Sequence, residues 1–277
     1  MRAIDAHHHL WNYSVEEYGW ISEEMRVLRR DFAPVDLKEQ MDSAGVAGAV
    51  AVQARQTVKE TEWLLQQAEG NAFLLGVVGW VPLASVGVKK EIERFAAHRK
   101  LKGFRHVVQD EPDDRFLLGA AFNAGVRELE GTGLVYDILI YERQLPAAIE
   151  FVDLHPRQRF VLDHVAKPRI RDGVLSPWKE GMRKLARREN VYCKVSGMAT
   201  EADWGGWTAE GLRPYFEVAL EAFGPERLMF GSDWPVLEVA GSYGRWMETV
   251  RGWVSGLSAD EQRRVLRGTA VEAYGLE

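Results

Sequence analysis

The sequence contains one cysteine, Cys193, in 277 residues, so a disulfide within the chain is excluded. It has no run of about 18 apolar residues, which argues against a membrane-spanning helix, and its opening residues lack the apolar segment of a secretory signal. These absences predict a cytoplasmic protein. Basic residues are also in deficit, with 35 Lys and Arg against 41 Asp and Glu and a formal net charge of -6. That balance argues against a nucleic-acid partner, which would favour a basic face.

Histidine and tryptophan stand out instead, with 7 and 10 copies respectively. Several tryptophans flank polar motifs, where Trp often lines a ligand pocket, although burial in a core is its commoner use. Hydrophobic residues make up 46% of the chain and charged residues 27%, as in an ordinary globular protein. The chain is therefore long and apolar enough to bury a sizeable core.

Short apolar segments alternate with amphipathic segments along the chain, which predicts eight strands that are each followed by helix. The predicted strands are Arg2–Ala6, Ala47–Gln53, Leu74–Trp80, Leu101–Arg105, Leu134–Ile138, Arg159–Asp163, Val191–Val195 and Arg227–Phe230. The predicted helices are Asp36–Ala44, Lys59–Glu69, Lys89–His98, Gly119–Glu130, Gln144–His155, Trp178–Arg188, Ala209–Phe223, Tyr243–Ser255 and Ala259–Ala273. Eight βα units predict an α/β fold, a single (β/α)8 TIM-like barrel domain over residues 1–277, with a doubly wound open sheet as the alternative.

A long segment at about residues 10–35 follows the first predicted strand and shows no clear helix. It contains four aromatic residues, Trp11, Tyr13, Tyr18 and Trp20. Long loops in compact domains are usually functional or disordered. The aromatic content favours an ordered flap over the barrel mouth, and a surface loop packed on a neighbouring subunit is the alternative. The sequence leaves the oligomeric state open.

The most informative polar motif runs from Asp5 to Trp11 and contains three consecutive histidines. Residues two apart in a strand point to the same side, so His7 and His9 face together while His8 faces away. The pair follows the first predicted strand, at the end where this fold builds its active sites. Two such imidazoles can bind a divalent metal or polarise a carbonyl. The alternative is an incidental histidine-rich segment.

Two later strands also run into polar residues. The sixth ends in Asp163-His164, and the eighth leads through Gly231 and Ser232 to Asp233. A carboxylate beside imidazoles can orient and deprotonate water. The alternatives are a hydrogen-bonded core histidine and an Asp that caps a turn.

The fourth and seventh strands add cations. Arg105 and His106 bring donors suited to carboxylates or hydroxyls. Lys194 would bind substrate if it points inward, and it would be solvated if it points outward. Polar groups therefore fall at the ends of strands one, four, six, seven and eight, a convergence typical of a barrel active site.

The motifs together resemble the amidohydrolase-related sugar lactonases of the L-fuconolactonase and L-rhamnonolactonase type. The matching segments are DAHHHLW, GFRHVVQDE, DHVAKP, VYCKVSGM and FGSDWP, which span most of the chain. The resemblance implies an amidohydrolase-type barrel that opens the lactone of a small sugar acid. It also implies catalytic roles for His7, His9 and His164, with Asp233 as the general base that activates water.

The resemblance bears on metal content as well. Binuclear members of the wider superfamily carry a bridging Lys or Glu on the fourth strand and a His on the fifth. Here the fourth strand offers Arg105 and His106, and the fifth has no His, so two metals are not expected. One divalent ion, zinc first, would be held by His7, His9 and Asp233, with His164 as a further candidate. Related lactonases also imply that this ion need not be essential.

The mechanism that follows needs groups for the oxyanion and the sugar. Developing negative charge would be met by His164, a metal, Arg105 or Lys194. Candidates for substrate contact lie at or near strand ends or beside the motifs; they are Gln53, Trp80, Arg105, His106, Tyr141 and Lys194, with Trp11 and Trp234 as apolar walls.

Three other functions fit parts of the pattern. A metal-dependent decarboxylase of the same superfamily would need a firmly bound metal. A non-catalytic sugar-acid binding protein would bind without turnover. A phosphate-handling barrel would need a Gly-rich loop after the late strands, which the sequence lacks. The particular sugar and the ring size of its lactone stay open.

Overall fold

The computed structural model describes residues 2–277, so Met1, where the predicted domain begins, lies outside the described residues. Eight strands occur within this part of the chain. They are β1 (Ala3–His8), β2 (Val46–Val52), β3 (Leu74–Gly79), β4 (Leu101–Val107), β5 (Val135–Leu139), β6 (Phe160–Leu162), β7 (Val191–Val195) and β8 (Leu228–Phe230). All eight match predicted strands, with ends that differ by at most two residues.

The strands form one parallel sheet in the order β1 to β8. The sheet curls back on itself, because His8 pairs in parallel with Trp234 just beyond β8. Two backbone hydrogen bonds reinforce this closure: Asp233 N donates to His7 O at 2.8 Å, and His9 N donates to Trp234 O at 2.6 Å. The (β/α)8 barrel is confirmed, and the open-sheet alternative is wrong.

Helices follow the strands and cover the outside of the barrel. They are α1 (Pro34–Ser43), α2 (Val58–Gly70), α3 (Val88–Ala96), α4 (Ala120–Arg127), α5 (Leu145–Leu154), α6 (Trp178–Leu185), α7 (Ala209–Phe223), α8 (Tyr243–Val254), α9 (Ala259–Arg263) and α10 (Thr269–Tyr274). Side-chain caps start several of them, since Thr57, Thr208, Ser242 and Ser258 each accept a hydrogen bond from the backbone N–H three residues later.

The predicted helix Ala259–Ala273 is helical throughout, but it is not a regular α-helix over its whole length. The capping box of Ser258 and Glu261 starts α9 as expected, but a π-helical turn at Arg264–Gly268 separates α9 from α10. Thr269 is buried, and its hydroxyl donates to backbone carbonyls before β8, at 3.1 Å. This contact holds the first residue of α10 against the chain that enters β8, directly after the π-helical turn.

Two layers of apolar side chains build the core. The strands alternate, so residues such as Ile4, Val50 and Val161 fill the barrel interior with residues of α10. The opposite faces pack against the helices in a larger cluster. None of the helices in residues 2–277 is both long and apolar enough to cross a membrane.

The segment between β1 and α1 is an ordered cover. Trp11 pairs with Phe32 through backbone hydrogen bonds in both directions, at 3.1 and 2.8 Å. Trp11, Tyr18 and Phe32 are buried and pack ring against ring. The segment is therefore held by an aromatic core of its own, and Trp20 on it is left 45% exposed.

Candidate active site

A cavity of about 450 Å³ opens at the end of the barrel where the strands terminate. Active sites of this fold lie at that end. Six of the residues predicted from the sequence line it, namely His9, Trp11, Arg105, Tyr141, His164 and Asp233. The flap also contributes Trp20 and Met25, and the loop after β7 contributes Thr200, Glu201 and Trp204.

His9 lines this cavity just beyond the end of β1, and the fully buried His7 lies beside it. The register of β1 against β2 shifts between Asp5 and His8. The Nε2 atoms of His7 and His9 lie 3.2 Å apart, and the two rings are nearly perpendicular, at 81°. The predicted pairing of these two imidazoles is thus present, whereas His8 is buried elsewhere and its ring has no hydrogen-bond partner among residues 2–277.

His164 is presented by a left-handed turn after β6. His164, Val165, Ala166 and Lys167 all have positive φ, at 52°, 47°, 60° and 45°. Such backbone costs roughly 1–2 kcal/mol per residue and is rarely repeated in succession, so packing must hold it. The buried Trp178 indole contributes by donating to Val165 O at 2.7 Å.

Asp233 is the point on which the three imidazoles converge. Its Oδ1 lies 3.3 Å from His9 Nε2, 3.8 Å from His7 Nε2 and 3.9 Å from His164 Nε2. Asp233 is 4% exposed and has a φ of 59°. The hydrogen bond from its N–H to β1, at the closure of the barrel, holds it beside the His pair.

The remaining ring nitrogens orient the imidazoles. His9 Nδ1 lies 2.8 Å from Val52 O, so it carries the proton. His164 Nδ1 contacts Ser196 Oγ at 2.9 Å, and His7 Nδ1 faces Asp163 Oδ1 at 3.3 Å. Protons on Nδ1 of His9 and His164 would leave the Nε2 lone pairs of both rings available on the side of Asp233. This is how histidine ligands of metals are typically held.

The donor set fits a divalent metal ion. The ligand atoms of His7, His164 and Asp233 lie within 4.8 Å of one another, and all three residues are buried. Two ligand atoms on a tetrahedral zinc, each at its usual bond length, lie about 3.4 Å apart. The separation of the His7 and His9 Nε2 atoms, 3.2 Å, and the distances of 3.3 to 3.9 Å from Asp233 Oδ1 to the Nε2 atoms of His7, His9 and His164 are close to that value. A cation would also relieve the repulsion between lone pairs that converge without a proton.

A buried ionic network supports His7 from below. Lys194 Nζ contacts Asp137 Oδ2 at 2.6 Å, Asp163 Oδ1 at 2.9 Å and His7 Nδ1 at 3.1 Å. Tyr274 of α10 donates to both Asp137 oxygens, at 2.9 and 2.8 Å. Lys194 points inward as predicted, but it lies beneath His7 and does not line the cavity.

Arg105 is fixed on the opposite side of His7. Its Nη1 donates to Asp163 Oδ2 at 3.0 Å and lies 3.3 Å from His7 Nε2. Its Nη2 donates to the backbone and side-chain oxygens of Gln53. Gln53 is fully buried and therefore holds Arg105 in place from outside the cavity.

Burial favours the neutral forms of His7 and His164, whereas Asp233 is held in its ionised form. Burial lowers the pKa of His164 to about 4, although Asp233 and Asp163 oppose the shift. Burial also lowers the pKa of His7 well below its usual value. Burial acts to raise the pKa of Asp233, but His164 and His9 outweigh it and the pKa is lowered. At neutral pH Asp233 is therefore a carboxylate, and His7 and His164 are uncharged.

Three other predicted residues lie away from the cavity lining. Trp80 Nε1 donates to His106 Nδ1 at 3.3 Å, and His106 Nε2 contacts Glu111 Oε1 at 2.6 Å. Trp234 is buried against Phe32 and donates to Glu238 at 2.8 Å. These side chains support the loops around the cavity.

Sequence reasoning missed several residues of the cavity wall. Lys167 and Glu201 line it and lie near each other, with Lys167 Nζ 3.6 Å from Glu201 Oε1. Lys167 stands inside the motif that contains His164, which was a usable signal. Nothing in the sequence marks Glu201, which follows β7 by six residues.

The amidohydrolase family model matches residues 4–276, so this chain belongs to the amidohydrolase family. The chain is 42% identical over 284 residues to an L-fucono-1,5-lactonase of Burkholderia multivorans, covering 99% of this chain and 96% of that protein. It is 35% identical over 280 residues to an L-fucono-1,5-lactonase of Burkholderia ambifaria, with the same coverage of 99% and 96%.

A solved structure of an amidohydrolase from Burkholderia multivorans with bound zinc has a TM-score of 0.95 to this chain, at 41% identity over 100% of both chains. The resemblance inferred from the sequence is confirmed. The chain is a homologue of enzymes that hydrolyse lactones.

Proposed function

We propose that this protein hydrolyses a sugar-acid lactone, with L-fucono-1,5-lactone as the first candidate and Asp233 as the general base. The observation that carries the proposal is the convergence of three imidazole Nε2 atoms on Asp233 Oδ1 at the floor of a cavity. The substrate class is supported by two relatives, 42% and 35% identical, that are L-fucono-1,5-lactonases.

Asp233 is suited to activate the attacking water. Its pKa is lowered, so it is ionised at neutral pH and can accept a proton. The hydroxide equivalent adds to the lactone carbonyl, and the C–O bond to the ring oxygen then breaks. Asp233 returns its proton to that leaving oxygen, so the ring opens to a hydroxy acid and the base is regenerated.

Arg105 and His164 are suited to stabilise the oxyanion that forms on the carbonyl. Both line the cavity beside Asp233. Arg105 is locked by Asp163 and Gln53, so its positive charge is preorganised and needs no reorientation during the reaction. Lys194 would act indirectly, by holding His7 and Asp163.

His7, His9, His164 and Asp233 would hold one divalent metal ion, with zinc as the first candidate. Such an ion polarises a carbonyl and lowers the pKa of a bound water. Zinc is favoured because three imidazoles and a carboxylate suit it, and because the related Burkholderia multivorans amidohydrolase binds it. Trp11, Trp20 and Tyr141 would form the walls against the apolar faces of the sugar.

A panel of aldonolactones tests the proposal. Acid release is followed with a pH indicator, for the purified protein with and without a chelator, and bound metal is measured in parallel. We expect turnover of L-fucono-1,5-lactone or a close stereoisomer, well above spontaneous hydrolysis. Absence of turnover on every aldonolactone, by protein that carries its metal, would refute the proposed function.

A further inference from the structure

Two charged residues of the cavity wall have no role in the reaction described above. Lys167 and Glu201 line the cavity, with 16% and 23% of their side chains exposed. Their closest N–O distance is 3.6 Å, which is too long for a hydrogen bond. We propose that this pair is a hydroxyl-recognition subsite that selects hydroxylated lactones over plain ones; the inference rests on the proposed lactonase function.

The backbone that carries Lys167 is strained. Lys167 is the fourth successive residue with positive φ, at 45°, and its N–H donates to His164 O at 2.8 Å. Left-handed backbone in residues other than glycine persists where the surrounding structure holds it, and it clusters at functional sites. The same turn therefore places both His164 and Lys167 at the cavity, one at the floor and one on the wall.

Lys167 also differs from Arg105, the other cation in the described part of the cavity lining. Both terminal nitrogens of Arg105 are committed to Asp163 and Gln53. Lys167 has three N–H donors, a long-range ion pair with Glu201, and a position 5.5 Å from the ring centroid of Tyr141. Lys167 is therefore the lining cation that the proposed reaction leaves available for the rest of the substrate.

The pair matches the chemistry of a sugar hydroxyl. An ammonium only donates hydrogen bonds and a carboxylate only accepts them, whereas a hydroxyl does both. One hydroxyl can thus accept from Lys167 and donate to Glu201. Trp20 and Trp204 line the same cavity and offer apolar faces to the carbon skeleton. A pocket built to bind a hydroxyl rejects a substrate that lacks it, because its own polar groups are then left unsatisfied.

Glu201 is the cleaner position for a test. Burial raises the pKa of the Glu201 carboxyl, and Lys167 opposes that shift. Lys167 is also among the groups that lower the pKa of Asp233. Replacing Lys167 would therefore also change the pKa of Asp233, the proposed base. For this reason the kinetics of K167M are measured as a function of pH. E201Q keeps the size and shape of the side chain.

The experiment compares two lactones with the metal-loaded enzyme. L-Fucono-1,5-lactone carries hydroxyls and δ-valerolactone carries none. The readout is the ratio of their kcat/KM values for wild type, E201Q, K167M and E221Q. E221Q makes the matched change in the exposed Arg183–Glu221 pair, which lies on the outer helices at 2.7 Å. The inhibition constants of the two ring-opened hydroxy acids, measured for the same variants, compare binding of the hydroxylated and the plain ligand without turnover.

We expect E201Q to lower the ratio about 10-fold, mainly through a higher KM for the sugar lactone, because the Gln amide oxygen still accepts a hydrogen bond but lacks the charge that makes such a bond about twice as strong. E221Q should leave the ratio unchanged. An unchanged ratio for E201Q would overturn the subsite. Equal losses on both lactones would show that Glu201 acts in catalysis, and no loss on either lactone would show that it does not contact the substrate. A metal-loaded wild type that opens no aldonolactone of the panel would refute the lactonase function instead.

Discussion

Substitution of Gly197 by alanine tests whether His164 must occupy its observed position. Gly197 has a φ of +64°, and a Cβ atom there would lie 2.7 Å from both Cγ and Nδ1 of the His164 ring. The G197A variant should therefore lose stability through its backbone, by about 1–2 kcal/mol, and should also push His164 away from Asp233. A displacement of about 1 Å in an active site can lower the rate about 100-fold.

A matched variant separates the two effects. Gly173 has a nearly equal φ of +68°, but a Cβ atom there would meet nothing within 4 Å. G173A should show the same backbone penalty in urea unfolding with kcat/KM for L-fucono-1,5-lactone close to wild type. G197A should be less stable than G173A and about 100-fold less active. Equal activity in the two variants would refute the assigned position of His164.

Three further predictions concern the groups beneath and beside the candidate metal site. Asp137 has its pKa raised to about 6 by burial, partly offset by Lys194 and Tyr274. Y274F should therefore raise that pKa further and reduce the free energy of unfolding by about 1–3 kcal/mol at pH 8. Because a raised carboxyl pKa destabilises the fold above that pKa, the difference should shrink as the pH falls below about 6; an equal difference in urea titrations at pH 8 and pH 5 would contradict this. K194M should cost about 3–5 kcal/mol in the same assay, because it leaves two buried carboxylates without their cation, and a loss under 1 kcal/mol would argue against the network. His9→Asn should lower the zinc content measured by mass spectrometry from about one ion per chain to a small fraction, since it removes one ligand; undiminished zinc would exclude His9 as a ligand.

The fold could be predicted from local sequence because each strand is short, apolar and separated from the next by a helical pattern. Parallel strands buried on both faces give continuous apolar runs, which made all eight visible. Helix ends were less accurate than strand ends, and the π-helical turn inside Ala259–Ala273 was not predicted. That turn directly precedes Thr269, whose contacts with the chain before β8 are tertiary and leave no local signal.

The grouping of His7, His9, His164 and Asp233 could also be predicted from the sequence, because all four follow predicted strands and the ends of parallel strands meet at one end of the barrel. The structure adds what spacing cannot show. The left-handed turn from His164 to Lys167 contains no glycine, the residue that would have indicated positive φ in the sequence. Its conformation is set by the surrounding structure, and so is the direction in which Lys167 points.

Contacts between distant parts of the chain account for the other omissions. Lys194 was a candidate for substrate contact, yet its partners Asp137 and Asp163 keep it below His7. The contact of Tyr274 with Asp137 joins residues 137 positions apart. Gln53 and Lys194 therefore contact Arg105 and His7 and do not line the cavity, a distinction that requires the three-dimensional arrangement.

The most direct test of the central claim is the kinetics of D233N on L-fucono-1,5-lactone, measured with a pH indicator alongside urea unfolding and zinc content. The substitution keeps the shape of the side chain and removes the base. We predict that kcat falls about 100- to 10,000-fold, the usual contribution of a general base, while the protein remains folded. A D233N enzyme that keeps a near-wild-type kcat would contradict the assignment of Asp233 as the residue that activates water.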